Sequence, residues 1–385
     1  MGAGGPVYAM VGLAGIVLLW CIPQALVSAE LSLLCGANGG SIVWIDRAFG
    51  GTISFFNVAN VLFSTVTSIT VSVVLFVNYL PDAAHSFWPT FAIRFALLIA
   101  AILCNFAGPK VVSFVSLALL VLMFIPFVAI LIVLGLDGKL ASVDYASIIG
   151  DIPKIGAVEW PVLLSTLVWT LGSFDSVGAL AGEVKGGKRE FLTGFMVTLP
   201  ISYTNYIAPM LICLVAAPNW RTGAWSNDGG GYEQIAMGLR GWLGILMTCA
   251  SLLAMFGQAV AGIAFAARQF WSCGVLGLLP KPFSWSRMSK SGHIHIPFVS
   301  TITVACLMFG ISFLPFNQLA QVFLMPRVIS LLFEYAAIMR LRILEPDTPR
   351  PMRAPWAFVL GIPTFCLGMQ AFGFNKLHAH FTVYL

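Results

Sequence analysis

Charge is what this sequence has least of: Asp, Glu, Lys and Arg make up 9% of its 385 residues, whereas 59% are hydrophobic. Soluble domains carry about 25% charged residues, so no water-facing shell can be built from this chain. Cysteine pairing is also missing. Cys21, Cys35, Cys104, Cys213, Cys249, Cys273, Cys306 and Cys366 stand singly in apolar surroundings, with no CxxC spacing and no histidine beside them. A disulfide framework and a zinc site are therefore not indicated. His85, His293, His295, His378 and His380 all fall in loops or the tail, and no nucleophile, base and orienter can be assembled from them. Solvated loop histidines account for both H-x-H pairs, and no enzyme activity, cofactor or metal is expected. The net charge of +5 is spread over short loops rather than gathered in a stripe, which argues against a nucleic-acid partner. The first residues are neutral, without the basic start of a cleavable signal peptide.

What the chain has instead is a series of apolar blocks, each of about 20 residues or more, the length that crosses a hydrocarbon core of about 30 Å. Spans are expected at 6–34, 52–80, 89–106, 111–135, 159–182, 191–217, 241–267, 297–314, 317–339 and 355–375. The fold class is all-α, a polytopic membrane protein, with residues 1–385 forming a single transmembrane domain. Alternate loops carry Arg47, Lys110, Lys185, Lys188, Arg189, Arg268, Lys281, Arg287, Lys290, Arg340, Arg342, Arg350 and Arg353. The opposite set holds only Lys139, Lys154, Arg221, Arg240 and Lys376. The base-rich set is the cytoplasmic one by the positive-inside rule. Both termini then lie outside, an orientation that a preceding helix, absent here, would explain.

Chemistry concentrates in one span. Gly172, Ser173 and Gly178 surround Phe174, Asp175 and Ser176 inside an apolar run, a composition poor at continuous helix. A broken membrane helix is tolerated where its freed backbone lines a cavity or meets a solute. Asp175 lies about halfway along this span, where an ionisable residue costs roughly 2.5–3.5 kcal/mol on insertion scales and calls for a partner or a cationic solute. The plainer alternative is a structural Asp capping the half-helix that follows. Trp169 and Phe174 offer aromatic faces to an alkylammonium group, worth about 0.5–2 kcal/mol. With 11 Trp and 30 Phe in the chain, packing is the competing account of both. Glu183 precedes Lys185, Lys188 and Arg189 and reads as an ion pair or gate at the base-rich end. Glu30, late in the first span, reads as solvated near that surface. Glu334 follows Arg327 by two helical turns, so both share a face. The pair is either a coupling carboxylate with its counter-ion or a buried structural ion pair.

Several stretches carry a family resemblance. GAGGPVYAMVG at 2–12 and ANGGSIVWIDRAFG at 37–50 resemble the second helix and following loop of the amino acid, polyamine and organocation transporter superfamily. WTLGSFDSVGALAGEV at 169–184 is similar to the sixth helix of its polyamine uptake branch, and FEYAAIMRLRILEPDTPRPMRAP at 333–355 to the tenth helix and its loop. The resemblance implies a LeuT-like fold of two inverted five-helix repeats, with the first and twelfth helices of the family lying outside this sequence. It further implies a secondary transporter of polyamines or related organic amines, coupled to a cation gradient, H+ foremost, in the plasma membrane. Asp175, Trp169, Phe174, Ser176 and Ser72 would bind substrate. Glu334, Arg327 and Glu183 would couple or gate. Two departures favour the alternative of an amino acid permease. Residues 68–76 read SITVSVVLF, so that Ser68 and Ser72 replace an acid and a tyrosine of the pattern, and Arg327 puts a fixed positive charge near the site. A non-transporting fragment or regulatory relic is the third reading.

Overall fold

The computed structural model describes residues 4–80, 86–142, 152–171, 174–183, 188–221, 223–226, 231–288, 295–361 and 363. Apolar runs become helices because a membrane leaves backbone N–H and C=O groups no partner but each other. Helix α1 runs Gly5–Cys35 and includes a π-helical turn at Val17–Cys21, followed closely by Pro23. A short helix α2 (Ser41–Phe49) leads into α3 (Gly51–Asn78), α4 (Phe87–Phe106) and α5 (Pro109–Leu136). After α6 (Trp160–Leu171) the described chain resumes as a 3-10 helix at Phe174–Glu183. Then come α7 (Lys188–Ala216), α8 (Gly231–Leu239), α9 (Gly241–Val275), α10 (Phe298–Ile311) and α11 (Phe316–Leu344), with a two-residue hairpin of Arg287–Met288 and His295–Ile296 between α9 and α10.

Six of these elements, α1, α3, α4, α5, α7 and α9, are long and apolar enough to cross a membrane by length and composition. Expected boundaries of the described helices hold to within a few residues, with two overshoots, and most of the expected span 355–375 lies outside the described residues. Helix α9 continues eight residues past the expected 267, and α11 five past 339. Hydropathy marks only the part of a helix inside hydrocarbon. The 35 residues of α9 span about 52 Å at 1.5 Å per residue, and its last turns pack against the 3-10 turn at Lys281–Ser284.

The apolar interior is divided. One cluster joins α1, α2, α6, α7 and α11 through Trp20, Leu31, Trp44, Leu171, Leu331 and Tyr335. A second joins α3, α4, α9 and α10 through Val61, Ile69, Ala101, Ile263 and Met308. Between them runs a seam rich in buried polar residues: Asn57, Thr67, Thr70 and Ser72 on α3, Gln269 and Ser272 on α9, Ser330 and Glu334 on α11.

Loops sort into two ends. Arg240 pairs with Asp137 at 2.8 Å, Thr248 donates to Glu233 at 2.6 Å and Trp225 Nε1 to the Ala217 carbonyl at 3.0 Å, tying one set together. At the base-rich end Arg47 is bound to Glu345 through Nε (3.0 Å) and Nη2 (2.8 Å), and hydrogen bonding to that carboxylate pushes the Arg47 guanidinium above its ordinary range. Glu30 overturns the expectation of a solvated side chain. It is 1% exposed and accepts from Arg342 Nε (3.1 Å) and Nη2 (2.5 Å), Arg350 Nη1 (3.0 Å) and the Ala354 backbone N–H (2.7 Å). The expectation of solvation came from counting residues along the helix. What the count could not include is the 345–354 segment folding back over it.

Close backbone packing seals the same end. Gly40 holds φ +58°, and a Cβ there would meet the Ala179 nitrogen at 3.2 Å, while the Gly39 N–H donates to the Ala179 carbonyl at 3.2 Å. A Cβ on Gly178 would lie 2.3 Å from the Trp44 ring. Gly178→Ala is therefore expected to cost about 1–3 kcal/mol by overpacking, read as a lowered unfolding midpoint of the purified protein in detergent. An unchanged midpoint would mean that Trp44 moves aside freely.

Candidate functional site

The two described parts of the 160–183 segment are both bonded from α1. Its π-turn ends at Cys21, whose Sγ donates to the Leu171 carbonyl at 3.4 Å, the last residue of α6. Four residues on, Asp175 sits in the first turn of the 3-10 helix, 5% exposed. Gln24, one turn past the π-turn, donates Nε2 to Asp175 Oδ1 at 3.1 Å. From α11, Arg327 donates Nη1 to Asp175 Oδ2 at 2.8 Å and Nη2 to Oδ1, a two-pronged grip on the carboxylate. Pro326, just before it, cannot donate to the preceding turn of α11, which loosens the helix where the arginine leaves it. Glu334, 2% exposed, lies with Oε1 4.0 Å from Arg327 Nη1, and that oxygen has no hydrogen-bond partner.

Two carboxylates thus face one guanidinium in a region sealed from solvent. Each charge is worth far more here than in water because the surroundings screen it weakly. With both acids ionised the cluster carries one net negative charge, and a cation of that size and charge, whether an ammonium or a proton, completes it. Among the described residues no group of three or more His, Cys, Asp or Glu could hold a metal ion.

Of the residues singled out in the sequence, Asp175, Arg327 and Glu334 are brought together. Ser176 is half-buried beside Asp175 and makes an interaction of its own. Ser72 is fully buried on α3, but its hydroxyl donates back to the Ile69 carbonyl at 2.6 Å and makes no hydrogen bond to Asp175. The side chains of Trp169, Phe174 and Glu183 lie outside the described residues. Sequence reasoning missed Gln24. The signal was present: an amide directly after a proline inside an apolar span, CIPQAL, is a polar group that needs a partner at depth.

The described elements set a 3-10 segment beside buried charge, and comparison with known proteins gives this arrangement its context. A family profile described as "Amino acid permease" matches residues 1–381. The chain belongs to the amino acid permease family. This permease is similar to a protein of Arabidopsis thaliana named "Probable polyamine transporter", 30% identical over 373 residues, covering 94% of this chain and 74% of that protein. It is 29% identical to polyamine transporter PUT1 of Oryza sativa subsp. japonica, over 92% of this chain and 65% of that one. Polyamine transporter RMV1 of Arabidopsis thaliana is 26% identical over 95% of the permease and 72% of its own length. Among solved structures, that of MhsT in complex with L-phenylalanine superposes with a TM-score of 0.60 at 13% identity, covering 97% of this chain and 92% of that one. The permease therefore has the LeuT-like fold and is a multi-pass membrane transporter of small molecules, not an enzyme.

Proposed function

We propose that this permease is a secondary transporter of organic amines of the polyamine kind, coupled to a proton gradient. The observation that carries this reading is Asp175, a buried carboxylate in the first turn of a 3-10 helix, whose partners, Arg327 and Gln24, are both exchangeable hydrogen-bond donors. An ammonium group donates three hydrogen bonds and can replace them. Glu334, with an oxygen that has no hydrogen-bond partner, is a second acid beside Arg327. The names of the relatives in Arabidopsis thaliana and Oryza sativa support the substrate class.

Arg327 favours a second reading. A zwitterionic amino acid could part the ion pair, its ammonium going to Asp175 and its carboxylate to Arg327, which matches a planar fork to a planar acid. Uptake into proteoliposomes separates the two. Labelled putrescine and spermidine are expected to accumulate under an inward proton gradient, with no competition from excess neutral amino acids. Accumulation of an amino acid instead, lost in Arg327→Ala, would give the site to the second reading.

A further inference from the structure

Asp175 accepts both prongs of the Arg327 guanidinium, so a substrate ammonium that reaches this carboxylate must displace a cation already there. A displaced guanidinium in a sealed interior needs another acid. One is in place. Glu334 stands two turns along the same helix, its Oε1 4.0 Å from Arg327 Nη1 and without a hydrogen bond of its own. Arg327 Nη1 already lies within ion-pair reach of both acids.

We infer that Arg327 is a built-in competitor for the substrate's ammonium, with Glu334 as its alternate partner, so that the site alternates between two ion-pair arrangements. The inference rests on the reading of Asp175 as the ammonium site. In the first arrangement Arg327 and Gln24 hold Asp175. In the second the substrate's ammonium and Gln24 hold Asp175 while Arg327 holds Glu334. Charge then closes in pairs, because two carboxylates meet one guanidinium and one ammonium. The chemistry selected is a solute that presents a single positive charge at this depth. A second ammonium must lie beyond the reach of Arg327, since like charges in a poorly screened interior repel strongly. Cadaverine, with five carbons between its two ammonium groups, meets that requirement better than a short diamine such as 1,3-diaminopropane.

The competitor has a kinetic signature that a structural ion pair or a carboxylate anchor lacks. With spermidine uptake compared at matched surface abundance, Arg327→Gln is expected to lower KM about tenfold, because the substrate no longer displaces anything. Discrimination between cadaverine and 1,3-diaminopropane should shrink in the same variant. Glu334→Gln alone is expected to raise KM about tenfold, since the displaced guanidinium has nowhere to go, yet to leave KM unchanged when added to Arg327→Gln. Abolished uptake in Arg327→Gln, or a Glu334→Gln effect of equal size in both backgrounds, would overturn the proposal. Should Arg327→Gln not reach the membrane, Arg327→Lys takes its place. Lysine keeps the charge but loses the two-pronged grip, and a KM that does not fall refutes the competitor. Asp175→Asn distinguishes this failure from failure of the underlying reading. If that variant transports like wild type, the ammonium site lies elsewhere and both readings fall. If it is inactive while Arg327→Gln leaves KM unchanged, only the competitor falls.

Discussion

Asp175→Asn is expected to abolish amine uptake while the protein still inserts and reaches the membrane. Asn is nearly isosteric and can keep a hydrogen bond from Gln24, so the fold around it loses little shape. What disappears is the negative charge. Removing one member of a buried, hydrogen-bonded charge pair costs about 2–5 kcal/mol, and 2 kcal/mol already corresponds to about a 30-fold loss of affinity. Arg327 keeps a carboxylate within 4.0 Å at Glu334, which is why the variant should survive where an isolated buried arginine would not. The measurement is uptake of labelled putrescine and spermidine against surface abundance from biotinylation. Wild-type uptake at equal abundance would reduce Asp175 to a helix cap.

The second large effect concerns stability. Glu30→Gln leaves Arg342 and Arg350 at the base-rich end without their shared carboxylate, and their side chains are only 3% and 4% exposed. Breaking a buried pair by removing one partner costs about 3–5 kcal/mol. The expected result is a large drop in the unfolding midpoint in detergent, with poor recovery of monodisperse protein. Arg47→Gln is the control at the same end. Its pair with Glu345 is 35% and 27% exposed, and solvent screening limits exposed pairs to about 0–1 kcal/mol. Equal destabilisation by both variants would show that the burial of Glu30 contributes nothing beyond a surface ion pair.

How far the fold could be read in the sequence differs from one element to the next, for identifiable reasons. Apolar runs near membrane length placed α1, α3, α4 and α5 within two residues because the solvent imposes the length. The composition of 172–178 marked a stretch of low helix propensity, and residues 174–183 are 3-10 helix instead of α-helix. Pairing is another matter. Arg327 and Asp175 are 152 residues apart and Glu30 and Arg342 312 apart, and nothing in either neighbourhood names the other. Each charge announced that it needed a partner, but the partner's identity depends on which helices the fold sets side by side. Glu334 and Arg327 could be associated from sequence because seven residues on one helix fix a shared face. Ser72 was drawn toward the site by its position on α3, whereas a serine inside a helix commonly satisfies itself on its own turn, as this one does on Ile69.

The π-turn at Val17–Cys21 carries a consequence for how α1 tolerates changes of length. A bond from residue i to i+5 encloses one residue more than the α-helical i to i+4 bond, so this stretch stores a single surplus residue without altering the phase of the helix beyond it. Deleting Leu18 or Leu19, both exposed, would let the turn tighten into ordinary α-helix and leave Gln24 and Glu30 pointing as they do now. Adding or removing a residue below Pro23 has no such reserve. It would swing Glu30 by about 100° around the axis, away from Arg342 and Arg350.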